Sequence, residues 1–117
     1  MLDGTYLIEP VESEEEFKTC IKESPYLLVK ASAQWCNPCK KIEGPLGELL
    51  RNNLDQNVKV MYIDIDESED IASYLEITKI PAFFSYINGK LENSDITSNM
   101  KDIKIIIDRI NSHSILG

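Results

Sequence analysis

The sequence predicts an α/β fold in the element order βαβαβαββα, a central mixed sheet flanked by helices on both faces. Three observations carry that reading. Tyr26 to Ala33 and Val58 to Asp64 are nearly continuous apolar runs, the pattern of strands buried on both sides. The segments that follow them repeat their apolar residues at helical spacing. Asn88-Gly89 separates two further strand-like runs, Ala82 to Ile87 and Lys90 to Glu92, and Asn-Gly in that position is a strong hairpin signal. Strands joined by helical crossovers run parallel, whereas a hairpin adds an antiparallel pair, so the sheet is mixed.

In chain order, Thr5 to Ile8 is a short strand candidate ended by Pro10. Ser13, with Glu16 three residues later, reads as a capping box that opens a helix presenting Phe17, Cys20 and Ile21 to the core. That assigns Cys20 to packing rather than chemistry. After Pro25 the first apolar run leads straight into Trp35-Cys36. From Pro38 onward, Ile42, Leu46, Leu49, Leu50 and Leu54 form one stripe of a long helix. Pro45, preceded by Gly44, removes an N–H from its interior and predicts a kink rather than two helices. Beyond the second run, Asp66 to Asp70 is an acidic turn opening a short helix through Ile71, Ala72, Tyr74 and Leu75, its charges explained by helix-terminus electrostatics. Met100, Ile103, Ile106, Ile107 and Ile110 share one face of a last helix, after which residues 111–117 are expected to fray.

A chain of 117 residues is expected to form one domain spanning 1–117. Its 43% hydrophobic and 27% charged content is that of a soluble globular protein. No apolar run approaches the ~20 residues needed to cross a bilayer, and Met1 to Glu16 holds no signal-like core. A reducing, cytoplasmic interior is the expected compartment. The net charge of −8 disfavours nucleic acid and anionic membrane as partners. A metal site is not expected either: besides Cys36 and Cys39 the Cys and His donors are Cys20 and His113, which form no spaced pair.

The chemistry is concentrated in Trp35-Cys36-Asn37-Pro38-Cys39-Lys40. Two thiols with two residues between them can close a disulfide within one turn, and Pro38 suits the start of a helix, where a missing N–H costs nothing. Cys36 then sits at a helix N-terminus, whose free N–H groups and dipole favour the thiolate, the reactive form. The reading is thiol–disulfide exchange: an acidic, accessible Cys36 attacks a disulfide, a mixed disulfide forms, and Cys39 resolves it. In open α/β sheets, sites form beyond the C-terminal ends of the strands, which is where Cys36 falls.

Together with Ile80-Pro81 before a strand–Asn-Gly–strand ending, these residues make the chain resemble the thioredoxin family over nearly its whole length. The resemblance implies the thioredoxin fold and a protein-disulfide reductase. Its implied cofactor is none beyond a redox-active Cys36–Cys39 disulfide. Its implied partners are disulfide-containing protein substrates and an NADPH-dependent thioredoxin reductase, acting on a monomer. The family's matching proline forms a cis peptide beside the disulfide. Carried over, Ile80, Pro81 and Ala82 would line the substrate groove with Trp35, Asn37 and Pro38.

This chain also departs from the family. Asn37 replaces a common glycine between the cysteines, which shifts redox poise more than chemistry. Thioredoxins usually carry a buried aspartate where this chain has Lys30, and a lysine where it has Tyr62. Lys30 has three readings: a charge that stabilises thiolate and makes the protein more oxidising, a neutral amine that serves Cys39 as base, or a side chain that snorkels to solvent and does little. Asp95-Ile96-Thr97 stands where a glycine is usual, so a side chain there narrows the groove. The competing functions are an oxidase or isomerase of the same fold, and a non-catalytic binding or adaptor module.

Overall fold

A computed structural model of the chain describes residues 8–11 and 13–116. Nine elements follow one another: β1 (Ile8–Pro10), α1 (Glu14–Glu23), β2 (Tyr26–Ser32), α2 (Asn37–Asn53), β3 (Lys59–Asp64), α3 (Glu69–Tyr74), β4 (Ala82–Ile87), β5 (Lys90–Ile96) and α4 (Met100–Leu116). They build a mixed five-stranded sheet in the order β1-β3-β2-β4-β5. β1, β3 and β2 run parallel, β4 runs antiparallel to β2, and β5 antiparallel to β4.

β2 lies at the centre, and Leu27 to Ala31 are all buried because helices cover both sides of it. Alternate residues of a strand point to opposite faces, so this one strand feeds two cores. On one face Leu28 joins Val60 and Phe83 against Ile42, Leu46 and Leu50 of α2 and four isoleucines of α4. On the other, Leu27, Val29 and Ala31 pack with Met61, Ile63 and Phe84 against Phe17 and Ile21 of α1 and Ile71 of α3. The capping signal is realised: the Glu16 N–H donates to Ser13 Oγ at 3.1 Å. The hairpin is too, with Asn88 (φ 50°) and Gly89 (φ 84°) both left-handed, as a two-residue turn of this kind requires.

Three elements differ from the sequence expectation. The first strand is Ile8–Pro10, so the proline is its last residue, on an edge where a missing N–H is tolerated; Thr5 to Leu7 lie outside the described residues. β5 extends to Ile96 rather than Glu92. As an edge strand its polar residues face water, so no apolar alternation marks its length. The terminal segment expected to fray is instead helical through Leu116. The Asn111 side-chain amide donates to the Asn53 carbonyl at 2.7 Å, and its Oδ1 accepts the Asp55 N–H at 2.9 Å. The buried Ser114 hydroxyl donates to the Asp55 carboxylate. These bonds tie the end of α4 to the end of α2, and His113 is an exposed residue of that helix rather than part of a loose tail.

Candidate active site

The β2–α2 turn creates the site. Its chain reverses through Ala33 and Trp35, with the Cys36 N–H donating to the Ala33 carbonyl at 3.1 Å, and Cys36 becomes the N-cap of α2. Pro38 occupies the first turn of that helix, where no intrahelical N–H is needed. Cys36 and Cys39 are disulfide-bonded, with Cα atoms 5.3 Å apart. The Cys39 N–H donates to Cys36 Sγ at 3.2 Å. A cap position normally filled by an oxygen is filled here by sulfur. When the disulfide opens, that donor and the helix dipole favour negative charge on Cys36.

Accessibility is where the geometry corrects the expectation. In the disulfide form Cys36 is only 4% exposed and Cys39 1%. The ring closed by the two sulfurs packs against Ala33, Ile65 and Ile80, which covers both. Cys36 is the less buried of the two, and it lies among exposed Trp35, Asn37, Pro38 and Lys40. Trp35 is 64% exposed, as a contact surface requires, and its indole N–H donates to Asp66 Oδ2 at 2.7 Å.

A second strand, β4, reaches the site at its start. The Ile80–Pro81 peptide is cis, Pro81 is buried, and Ile80 is half-buried against the sulfurs. The Pro81 carbonyl accepts the Thr97 N–H at 3.2 Å, and Ala82 pairs with Ala31 of β2 and Ile96 of β5. Ile80 thus reaches the disulfide from the approach to β4, with Pro81 and Ala82 directly after it, while Trp35, Asn37 and Pro38 adjoin the cysteines along the β2–α2 turn.

Lys30 lies in β2, the strand that leads into the cysteine turn. It is 1% exposed, which removes the snorkelling reading, and its Nζ has no hydrogen-bond partner among the described residues. The amine lies 4.9 Å from the centroid of the Tyr62 ring, its neighbour across the β2–β3 pairing. Burial pushes its pKa down, and the Glu43 carboxylate works against that shift.

Two contributors escaped the sequence reading. Asp66 was assigned to helix-terminus electrostatics, yet it anchors Trp35, while Glu69 and Asp70 occupy the first turn of α3. The available signal was topological: Asp66 follows the end of β3, which lies beside the end of β2. Ile65, to which the sequence reading gives no role, packs on the sulfurs, held by its N–H donating to the Ser32 carbonyl at 3.0 Å. Among the described residues, no group of three or more His, Cys, Asp or Glu is placed to hold a metal ion.

Comparison with known proteins agrees with this geometry. The family model Thioredoxin matches residues 9–111. A thioredoxin of Ictalurus punctatus is 31% identical over 110 residues, 92% of this chain and 99% of that one. The oxidized form of mitochondrial thioredoxin 3 from Saccharomyces cerevisiae superposes with a TM-score of 0.80 at 30% identity, covering 87% of this chain and 94% of that one. A chain solved in work on the thiol resolving mechanism of a yeast mitochondrial 1-Cys peroxiredoxin via glutathione/thioredoxin systems has a TM-score of 0.81 at 29% identity, covering 87% and 94%.

Proposed function

The chain belongs to the thioredoxin family and its chemistry is thiol–disulfide exchange; from that premise we propose that it is a protein-disulfide reductase in which Cys36 is the nucleophile and Cys39 the resolving thiol. One observation carries the division of labour: Cys36 caps α2 and accepts the Cys39 N–H, while Cys39 is enclosed one turn further in. In the dithiol form the Cys36 thiolate attacks a substrate sulfur and displaces the other as a thiolate. Cys39 then attacks Cys36 Sγ, the protein disulfide re-forms, and the substrate leaves reduced.

Trp35, Asn37, Pro38, Ile80, Pro81 and Ala82 form the docking surface in this reading. The substrates are protein disulfides, a peroxiredoxin being one class consistent with the peroxiredoxin-related chain that this one resembles. Electrons come from an NADPH-dependent thioredoxin reductase, and a reducing cytoplasmic compartment suits that direction of flow.

Replacing the resolving thiol tests the assignment. Cys39→Ser should hold target proteins on Cys36 as stable mixed disulfides, identifiable by mass spectrometry after non-reducing capture. Recovery of nothing beyond a Cys36→Ser control would remove the reductase reading and favour an adaptor. A reduction potential well above that of the cytosolic glutathione pool would favour an oxidase instead.

A further inference from the structure

Beyond Pro81, the edge of the docking surface is tied to α4 by polar bonds. β5 ends at Ile96, and the next residue, Thr97, donates its N–H to the Pro81 carbonyl at 3.2 Å. The Thr97 hydroxyl donates to Asp102 Oδ2 at 2.7 Å and accepts the Asn99 N–H at 3.0 Å. One residue thus joins the carbonyl of the cis proline, through its backbone, to the first turn of α4, through its side chain. Two residues earlier, Asp95 accepts from the Arg109 guanidinium at 2.8 Å. Asp95 and Thr97 both turn to α4, so Ile96 between them points to the other face of the sheet, where it is 56% exposed beside Ala82. Asp102 and Arg109 are about two helical turns apart and share one face of α4. Between the two anchors lies an open cavity of about 180 Å³, lined also by Ile105 and Ile106. Bonds rather than close packing therefore hold this end of β5.

We propose that Thr97 is a positioning residue of the exchange reaction: by pinning the Pro81 edge of the docking surface to α4, it favours protein disulfides over small ones. The proposal rests on the assignment of Cys36 as nucleophile and of the surface around Pro81 as the docking surface. An edge that is already fixed does not have to be ordered when a partner arrives, so that cost is absent from association. A protein disulfide has to lay a segment of its own chain against this edge and gains from its order. A small disulfide needs the sulfurs alone and gains nothing. The Asp95–Arg109 pair keeps β5 on α4 when the Thr97 hydroxyl is removed, so that loss loosens the segment at Pro81 rather than the sheet.

The same hydroxyl also caps α4, and the test separates the two roles. The Asn99 Oδ1 accepts the Lys101 N–H at 2.8 Å, a cap bond of the same helix end that involves neither Thr97 nor Pro81. In a Cys20→Ser background, two rate constants are measured for each variant: kcat/KM for catalysed reduction of insulin by dithiothreitol, and the second-order constant of the dithiol protein with 5,5′-dithiobis(2-nitrobenzoate). Thr97→Val keeps the branched shape and the backbone N–H while removing the hydroxyl. It should lower the ratio of the insulin constant to the nitrobenzoate constant about five-fold, the order that one net hydrogen bond contributes, and do so through KM for insulin rather than kcat. Thr97→Ser, which restores the hydroxyl, should restore the ratio. Asn99→Ala should lower the thermal midpoint and leave the ratio at the parental value. An unchanged ratio in Thr97→Val overturns the proposal, as does an equal fall in Asn99→Ala, which would reduce Thr97 to a helix cap. Failure of the parent on both disulfides would remove the assignment of Cys36 itself, and the proposal with it.

Discussion

A lysine amine enclosed in a sheet destabilises the fold that contains it, and the pH dependence of that penalty has a definite sign. Burial lowers the Lys30 pKa in the native state below its unfolded value near 10.5, so the unfolded chain binds more protons wherever the two differ. The penalty is full below the native pKa, shrinks as pH rises from there, and vanishes above the unfolded pKa. Lys30→Met should therefore raise the urea midpoint at neutral pH, with a gain that declines towards zero as pH approaches the unfolded value. A constant gain across that range would show that packing, not charge, is what the substitution changes. Tyr86 offers the opposite case. Burial, with the nearby Tyr74 adding to it, pushes its pKa up from 10.0 to about 12, so the native state keeps a proton that the unfolded state has lost. Stability is intact below about 10 and falls as pH rises to about 12. Tyr86→Phe should flatten the alkaline part of the stability profile, at some cost in packing, while the edge-to-face contact with Phe17 at 6.0 Å survives the loss of the hydroxyl.

At the scale of elements, ends are decided by specific polar bonds, and those bonds separate what could be read in the sequence from what could not. Ser13 and Glu16 mark the start of α1 because a cap is local: donor and acceptor lie three residues apart. Asn88-Gly89 marks the hairpin for the same reason, since the turn's left-handed backbone is a property of those two residues. The long apolar runs located β2 and β3 because strands covered on both faces have little room for polar residues. The end of α4 was misread because what holds it is not local. Asn111 and Ser114 find their partners at Asn53 and Asp55, across the fold, so a polar tail looked free. The site divides in the same way. Cys36, Cys39 and Trp35 were visible as one contiguous motif, whereas Asp66 and Ile65 reach it from the next strand and carry no motif. Asn111→Ala should lose both long-range bonds, cost about 1–3 kcal/mol, and let residues beyond 111 exchange amide protons markedly faster than the rest of α4. Uniform exchange along α4 in that variant would assign its order to the isoleucine face instead.

Among the described residues two hydrophobic layers lie on opposite faces of the sheet, and β2 belongs to both. Leu28 faces one layer while Leu27 and Val29 face the other, so loss of either layer uncovers one face of the central strand. The cysteine turn follows this same strand, and the sulfurs form a separate small cluster joined to the α1 and α3 layer through Ile65 and Ile80. Cooperativity and chemistry can therefore be perturbed separately. Ile106→Val removes a methylene from the α4 side and Ile71→Val one from the α3 side, each at an expected cost of about 0.5–1.5 kcal/mol. The two clusters share no residue, so the double variant should lose the sum to within ~0.5 kcal/mol. Because both layers close on one strand, unfolding should stay a single transition, coincident by far-ultraviolet circular dichroism and by Trp35 fluorescence. The rate at which the native dithiol reacts with a disulfide should be unchanged well below that transition, since neither methylene touches the cluster around the sulfurs. Two separated transitions would mean that the layers fold independently, and a slowed reaction in either variant would mean that packing strain reaches the cysteine turn through β2.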